Sequence, residues 1–415
     1  MLDRDTLPDD ASPRRGVPQS FHAHILLLSG LLELTSLFPG LDEELVAAGG
    51  VRFDPGLDLC TYRYGRRWPP TQSGLDLISV TRPQLEALIR ARLAEDPAVA
   101  IRDQVAVSGL AGSGGRVTGV VLDTGETFDA ALVVDCTGRG SRSDRWLAAL
   151  DLPAPEQEEI KIGVTYTTRC YRRSPGDLPG WQAALVLPEP PRERTMAVAI
   201  PVEGDRWLVG LGGWHMTDPP TDVEAFERWA KALPDPAVSD LISRAEPLSD
   251  VMLARFPSSR RRLFEKLDRL PAGYVALGDA ICSFNPIYGQ GMTCAAKEAT
   301  ALGAALDAHG REPTAAMARD YYTAAARVIA TPWQFAVGGD FVYPETTGPR
   351  PRGIAARNWY SRQIALASQI DPQISRTFTS VQQLITPPSV LMKPRFAARV
   401  LRLARKRQRG AEPVT

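Results

Sequence analysis

The stretch GDAICSFNPIYGQGMTCAAKEA, Gly278 to Ala299, constrains this chain more than any other. A strand-like apolar run, Gly273 to Ala280, carries Asp279 near its carboxyl end; Pro286 follows, then Gly289 and Gly291 around Gln290, then a helical pattern reaching about His309. Each part has a use at a ligand site. A carboxylate at a strand tip accepts hydrogen bonds from sugar-like hydroxyls, glycines let the backbone approach a flat ring, and a helix amino end presents N–H donors and partial positive charge. The natural guest is a ring that becomes anionic on two-electron reduction. The plainer reading of Asp279 is a helix N-cap or turn aspartate.

The rest of the chain sets the frame for that stretch. Its 415 residues point to two interleaved domains. Lys+Arg and Asp+Glu balance at 48 each, which excludes a general nucleic-acid binder. Five cysteines without a CxxC pair, together with four histidines, indicate a reduced, metal-free cytoplasmic protein. The longest apolar stretch, His24 to Phe38, is interrupted by Ser29, Gly30, Glu33 and Ser36, so the expectation is a soluble or at most peripheral protein.

The periodicity predicts a helix over 22–39 ending at Pro39-Gly40, and a second from Thr81-Arg82-Pro83 with Pro83 as its first residue. From Val105 the pattern turns to strands, with a turn at Gly112 to Gly115 and another at Thr124-Gly125. The run Ala131 to Cys136 reads as a strand covered on both faces. Residues 151–272 alternate strand-like stretches with Pro-rich and charged loops, as in an antiparallel domain. Residues 311–405 are helical in pattern, with a break around Pro344 to Gly353.

The Gly278–Ala299 stretch resembles the second flavin motif of group A FAD-dependent monooxygenases. RRGVPQSFHAH (Arg14 to His24), SVTRPQLEALIRARL (Ser79 to Leu93) and LVVDCTGRGSR (Leu132 to Arg142) occur in the order found in bacterial FAD-dependent epoxidases and hydroxylases, notably polyether-pathway epoxidases. The resemblance implies an α/β fold: a Rossmann-like FAD-binding domain of glutathione-reductase type (1–40, 80–150, 273–310), interleaved with a mostly antiparallel substrate domain (41–79, 151–272) and a helical C-terminal region (311–415). It implies roles for residues as well. Asp279 would hold the ribityl chain, Arg15 and Arg82 the pyrophosphate, and Asp3 the adenosine ribose; Thr137 and Gly138 would pass close to the FAD, and Pro286, Gly289, Gln290, Gly291 and Met292 would cradle the isoalloxazine. The bland alternatives are a surface arginine at 82, an exposed loop pair at Arg14-Arg15 and an ordinary strand-to-loop turn at Thr137-Gly138.

The activity implied is epoxidation or hydroxylation of an apolar secondary metabolite by oxygen, through a flavin hydroperoxide. The cofactor carries the hard step, so no side-chain nucleophile or base is required. Many of these enzymes have an Asp-Gly pair where this chain reads Arg139-Gly140, which leaves the electron donor open between NAD(P)H and a separate flavin reductase. Two other readings stand beside this one. The first is a flavin-dependent reductase or dehydrogenase of an isoprenoid-like substrate; the second is a truncated, non-catalytic remnant. The motive for the second lies at Met1. MLDRD reads as the end of a second strand, with Asp3 the ribose acid, whereas the GxGxxG turn expected about 20 residues before such an acid, within a strand-and-helix piece of roughly 30 residues, does not precede it. An upstream start, a true truncation and a strand donated by another chain all fit, and the expectation is a flavin-poor polypeptide with a gap between the strand ending at Asp3 and that ending at Gly278.

Three further features carry two readings each. His22 and His24 fit caps, packing or a place near the flavin. Trp181, Trp207 and Trp214 fit core or the wall of an apolar substrate pocket. The basic helix PRFAARVLRLARKRQRG, Pro394 to Gly410, fits either docking by its apolar side or peripheral contact with an anionic membrane.

Overall fold

The structure, a computed structural model, describes residues 1–409. Leu2 makes a parallel bridge to Arg102, and residues 22–27 run without regular structure into α1 (Leu28–Leu37), followed by α2 (Leu41–Ala47). The first helix is therefore shorter than its periodicity predicts. Leu27 takes an extended conformation as its N-cap, and the residues before it, His22 to Ile25, line a large cavity.

Strand β1 (Val51–Phe53) pairs antiparallel with β4 (Leu77–Ser79), and between them β2 (Leu59–Arg63) and β3 (Arg66–Arg67) form a hairpin. Helix α3 (Arg82–Glu95) starts one residue earlier than expected; Thr81 Oγ1 accepts from the Gln84 N–H, leaving Pro83 in the second position, where its missing N–H costs nothing. The hairpin β5 (Val107–Ser113) to β6 (Arg116–Leu122) turns on Gly114-Gly115, both at positive φ (59° and 83°), and β7 (Thr127–Asp129) completes a three-stranded sheet.

Strand β8 (Val133–Asp135) and then α4 (Ser143–Ala148) lead into the long β9 (Gln157–Arg172), β10 (Ala183–Val186), β11 (Thr195–Val202) and β12 (Arg206–Trp214). Two amphipathic helices, α5 (Val223–Lys231) and α6 (Ala237–Arg244), cover Trp207 and its neighbours. Next come β13 (Met252–Arg262), β14 (Tyr274–Ala276) and β15 (Cys282–Ser283). The large sheet has eight strands in the order β15-β13-β9-β12-β11-β10-β2-β3 and is antiparallel except where β10 meets β2. Helix α7 (Gly291–Ala308) packs on α8 (Ala315–Asp340), and α9 (Ile354–Ser368), α10 (Pro372–Gln382) and α11 (Pro394–Arg409) follow. Helix α11 buries Val400 and Ala404 against the fold, which is the docked arrangement, and its exposed side is cationic.

The parallel ladder differs from the expectation in two ways. Strand β14 pairs with β8, and its other edge is taken by side chains: Tyr322 Oη accepts from the Ala276 N–H and Tyr321 Oη donates to the Ala276 carbonyl, each at 2.8 Å. The open edge therefore belongs to β8, between it and the Leu2 bridge, and not to the strand leading to Gly278. The run Ala131 to Cys136 is also not covered on both faces, since Ala131, Val134 and Cys136 are exposed while Asp135 is buried. Val134 is 37% exposed and has no ladder partner on that side among the described residues.

Candidate functional site

Sequence places Asp279 just past β14, and the fold gathers a charged group around it. Cβ atoms built on Gly291 and Gly138 would lie 3.5 Å from Asp279 Oδ1 and 3.9 Å from its Cβ, so both glycine backbones pass beside this carboxyl. Burial raises the Asp279 pKa, and the charges of Arg82 and Arg139 pull it back. Among the described residues the carboxylate accepts no hydrogen bond. It is an acceptor with its capacity unspent.

The loop after it is built to hold a fixed shape. Asn285 caps a short turn, Pro286–Tyr288, by accepting from the Ile287 N–H, and donates through Nδ2 to Asp340 Oδ1 at 2.7 Å. Trp214 Nε1 donates to the same oxygen at 2.8 Å and the Tyr288 hydroxyl reaches it at 3.4 Å. Burial pushes the Asp340 pKa up to about 7, while these donors hold it down. Gly289 follows at φ +66°, a conformation that costs a side-chain-bearing residue about 1–2 kcal/mol. Gln290 then caps α7, whose first turn contains Gly291 and Met292. Gln290 Oε1 and Thr293 Oγ1 are buried without a partner at this helix start.

A second ring of interactions shapes the opposite wall. Buried Asp135, at the end of β8, accepts from Thr137 through both backbone N–H (2.9 Å) and hydroxyl (2.6 Å), from Ser141 Oγ (2.6 Å) and from Tyr274 Oη (3.1 Å). It thereby sets the loop carrying Thr137 and Gly138. Arg139 does not point out of that loop. Its Nη1 and Nη2 donate to Ser283 and Ser258 at 3.1 and 2.7 Å, its plane lies over Phe256, and burial beside Arg260 brings its pKa down to about 10.

At the far side, Asp3 Oδ2 accepts from Arg14 Nη1 at 3.0 Å, and Arg14 also reaches Asp5 and Glu86. Arg82 pairs with the same Glu86 at 2.6 Å. The two arginines of Arg14-Arg15 thus divide: the first is bound into an acidic cluster, and Arg15 is exposed with no ion pair among the described residues. His22 and His24 are both held neutral, with pKa values pushed down to about 4, by burial alone for His22 and by burial with help from Arg82 for His24; His22 Nδ1 lies 2.8 Å from Thr168 Oγ1.

The 286–290 loop and residues 22–25 form one end of a cavity of about 960 Å³. One face of the eight-stranded sheet forms one wall, with Met196 and Val198 and the backbone at Gly210 and Gly212, and helices α8 to α10 form the other. Trp214 lines this cavity; Trp207 and Trp181 do not, and pack instead against α5 and α6. Asp135, Asp340 and the cavity's arginines were not anticipated from sequence. Asp340 lies at the end of a helix distant in the chain, and only its burial in the folded state distinguishes it. No cluster of His, Cys, Asp and Glu fit for a metal occurs among the described residues, and none of their helices is long and apolar enough to cross a membrane.

No family model matches the sequence. Protein Rv3254 of Mycobacterium tuberculosis is 31% identical over 438 aligned positions, which cover 100% of this chain and 91% of that protein. Among solved structures, PqsL of Pseudomonas aeruginosa, a probable FAD-dependent monooxygenase, superposes with a TM-score of 0.56 at 18% identity, covering 90% of each chain. A flavoprotein/dehydrogenase from Cytophaga hutchinsonii gives a TM-score of 0.66 at 16% identity, covering 99% of this chain and 93% of that one. The chain belongs to the family of Rv3254 and shares its fold with PqsL and with the Cytophaga hutchinsonii flavoprotein/dehydrogenase.

Proposed function

We propose that this protein is an FAD-dependent monooxygenase that epoxidises or hydroxylates a mostly apolar small molecule. The observation that carries the reading is the junction of the hydrogen-bonded 285–292 loop with a mostly apolar cavity of about 960 Å³, large enough for a drug-sized substrate beside a flat ring. The residues fit the cofactor. Asp279 is an unspent acceptor for the ribityl hydroxyls, Gly289 and Gly291 leave room for a ring, and the start of α7 offers N–H groups to a reduced, anionic ring. Pro286, Gln290 and Met292 complete that cradle, Thr137 and Gly138 border it, Arg15 and Arg82 take the pyrophosphate, and Asp3 takes the adenosine ribose.

FAD, when bound, supplies the oxygen chemistry; the chain's own residues position the substrate and keep water out. Neutral His22 and His24 and the apolar sheet face suit the second task. Arg139, held by Ser258 and Ser283, is not free to meet a dinucleotide, which favours a separate flavin reductase over direct NAD(P)H reduction. The decisive experiment supplies FAD, a reductase and ¹⁸O₂ with a panel of apolar acids and alkenes. One labelled oxygen per product supports a monooxygenase; unlabelled product gaining two hydrogens supports the isoprenoid-type reductase reading and refutes this one.

A further inference from the structure

The cavity is apolar in its walls and one-sided in its charge. Among the described residues, its lining contains four arginines, Arg63, Arg350, Arg357 and Arg362, and no aspartate or glutamate. The four differ in what they already hold. Arg362 is paired with Glu189 at 3.2 Å, and Arg350 and Arg357 are exposed, so both sit where the cavity meets solvent. Arg63 is half-buried at the carboxyl end of β2. Its guanidinium stacks over the Tyr64 ring at 4.9 Å, its Nε is buried without a partner, and no carboxylate pairs with it among the described residues.

Arg63 also lies toward the loop end of the cavity. Its charge acts on the hydroxyls of Tyr288 and Tyr343, both of which burial pushes upward, and Tyr288 belongs to the loop proposed to cradle the ring. A guanidinium is always charged and offers a planar fork of donors that matches a carboxylate. Holding such a group unpaired in apolar surroundings is costly, and the cost is offset when an anion arrives to complete it.

We propose that the cavity takes an amphiphilic organic acid, an apolar body bearing a carboxylate, and that Arg63 pairs with the carboxylate while Arg350 and Arg357 attract the anion at the entrance. This rests on the reading of the cavity as the substrate's place and narrows its substrate class. The pairing also fixes orientation, because the acid group is held at Arg63 and the apolar body then lies along the apolar cavity wall.

The test uses a matched pair of probes, 1-pyrenebutyrate and 1-pyrenebutanol, titrated calorimetrically into the full chain in saturating FAD at neutral pH. The acid is expected to bind at least tenfold more tightly than the alcohol. R63Q is expected to lower the acid's affinity about tenfold and to leave the alcohol's within twofold. Equal binding of acid and alcohol by the unmodified protein overturns the proposal without any variant, and so does a folded R63Q that keeps the full preference for the acid. Selective acid binding without ¹⁸O incorporation into any substrate would leave the anion site standing and refute the monooxygenase reading, so the two failures are distinct.

Discussion

Replacing Asp340 by asparagine tests whether the loop proposed to hold the flavin ring is anchored by a carboxyl that resists ionisation. A carboxyl that ionises at 3.8 when unfolded and at about 7 when folded binds its proton more tightly in the native state. The stability it contributes is complete below pH 3.8 and is lost as pH rises through 7. The loss amounts to about 4 kcal/mol at pH 8, from about 1.4 kcal/mol for each pH unit between the two values. The amide that D340N introduces cannot ionise and keeps the Oδ1 acceptor used by Trp214, Asn285 and Tyr288. D340N should therefore match the unmodified protein within about 1 kcal/mol at pH 4.5 and exceed it by about 2–4 kcal/mol at pH 8. Urea unfolding of both proteins across that range gives the difference curve, in which every other titrating group cancels. A flat difference curve, or a D340N protein less stable than the parent at pH 8, would refute the reasoning.

Other outcomes follow from the same geometry. G289V forces a β-branched residue to φ +66° with its Cβ about 3.3 Å from the Ile25 carbonyl oxygen, and should weaken FAD binding at least tenfold in a flavin-fluorescence titration while the large sheet stays folded. D279A should also lose FAD affinity without losing thermal stability, since it removes a carboxylate whose ionised form burial disfavours and which no backbone group needs. Glu298 is buried in α7, accepts from the Gly278 N–H at 2.6 Å and has its pKa pushed up to about 8 by burial. E298A strands that N–H and should cost about 1–3 kcal/mol at pH 4.5, whereas E298Q should match the parent there and become progressively more stable than it as pH rises from 4.5 to 8, in urea unfolding.

Much of this arrangement was legible in the sequence because its parts lie close together along the chain. The 278–299 stretch places its acid, its turn and its helix start within a few residues, and local chemistry forces each: only glycine sits comfortably at position 289, and Thr81 with Pro83 can only open a helix. Features decided by tertiary contact were not legible. Nothing in Arg14-Arg15 says which arginine turns toward Asp3, Asp5 and Glu86, and nothing in TGRG says that Arg139 folds back onto Ser258 and Ser283. The apolar run His22 to Leu27 has helical spacing but is drawn out along the cavity wall. Asp340 meets Tyr288 from a distant segment and the charge of Arg63 reaches it from another, and neither is distinguished from an ordinary polar residue until the chain folds. The open edge of β8 was placed one strand away because the sequence does not reveal that tyrosines of α8 cap β14.

The central claim is that FAD lies between the 137–140 loop and the 278–292 segment with its ring at the cavity's end. Amide hydrogen exchange with and without saturating FAD tests it most directly. Slowed exchange is predicted at residues 137–140, 278–292 and the cavity-lining 22–27, together with the segments around Asp3, Arg15 and Arg82 that meet the rest of the dinucleotide, and nowhere else. Protection elsewhere, or unchanged exchange in these segments at an FAD concentration that saturates binding, would contradict it.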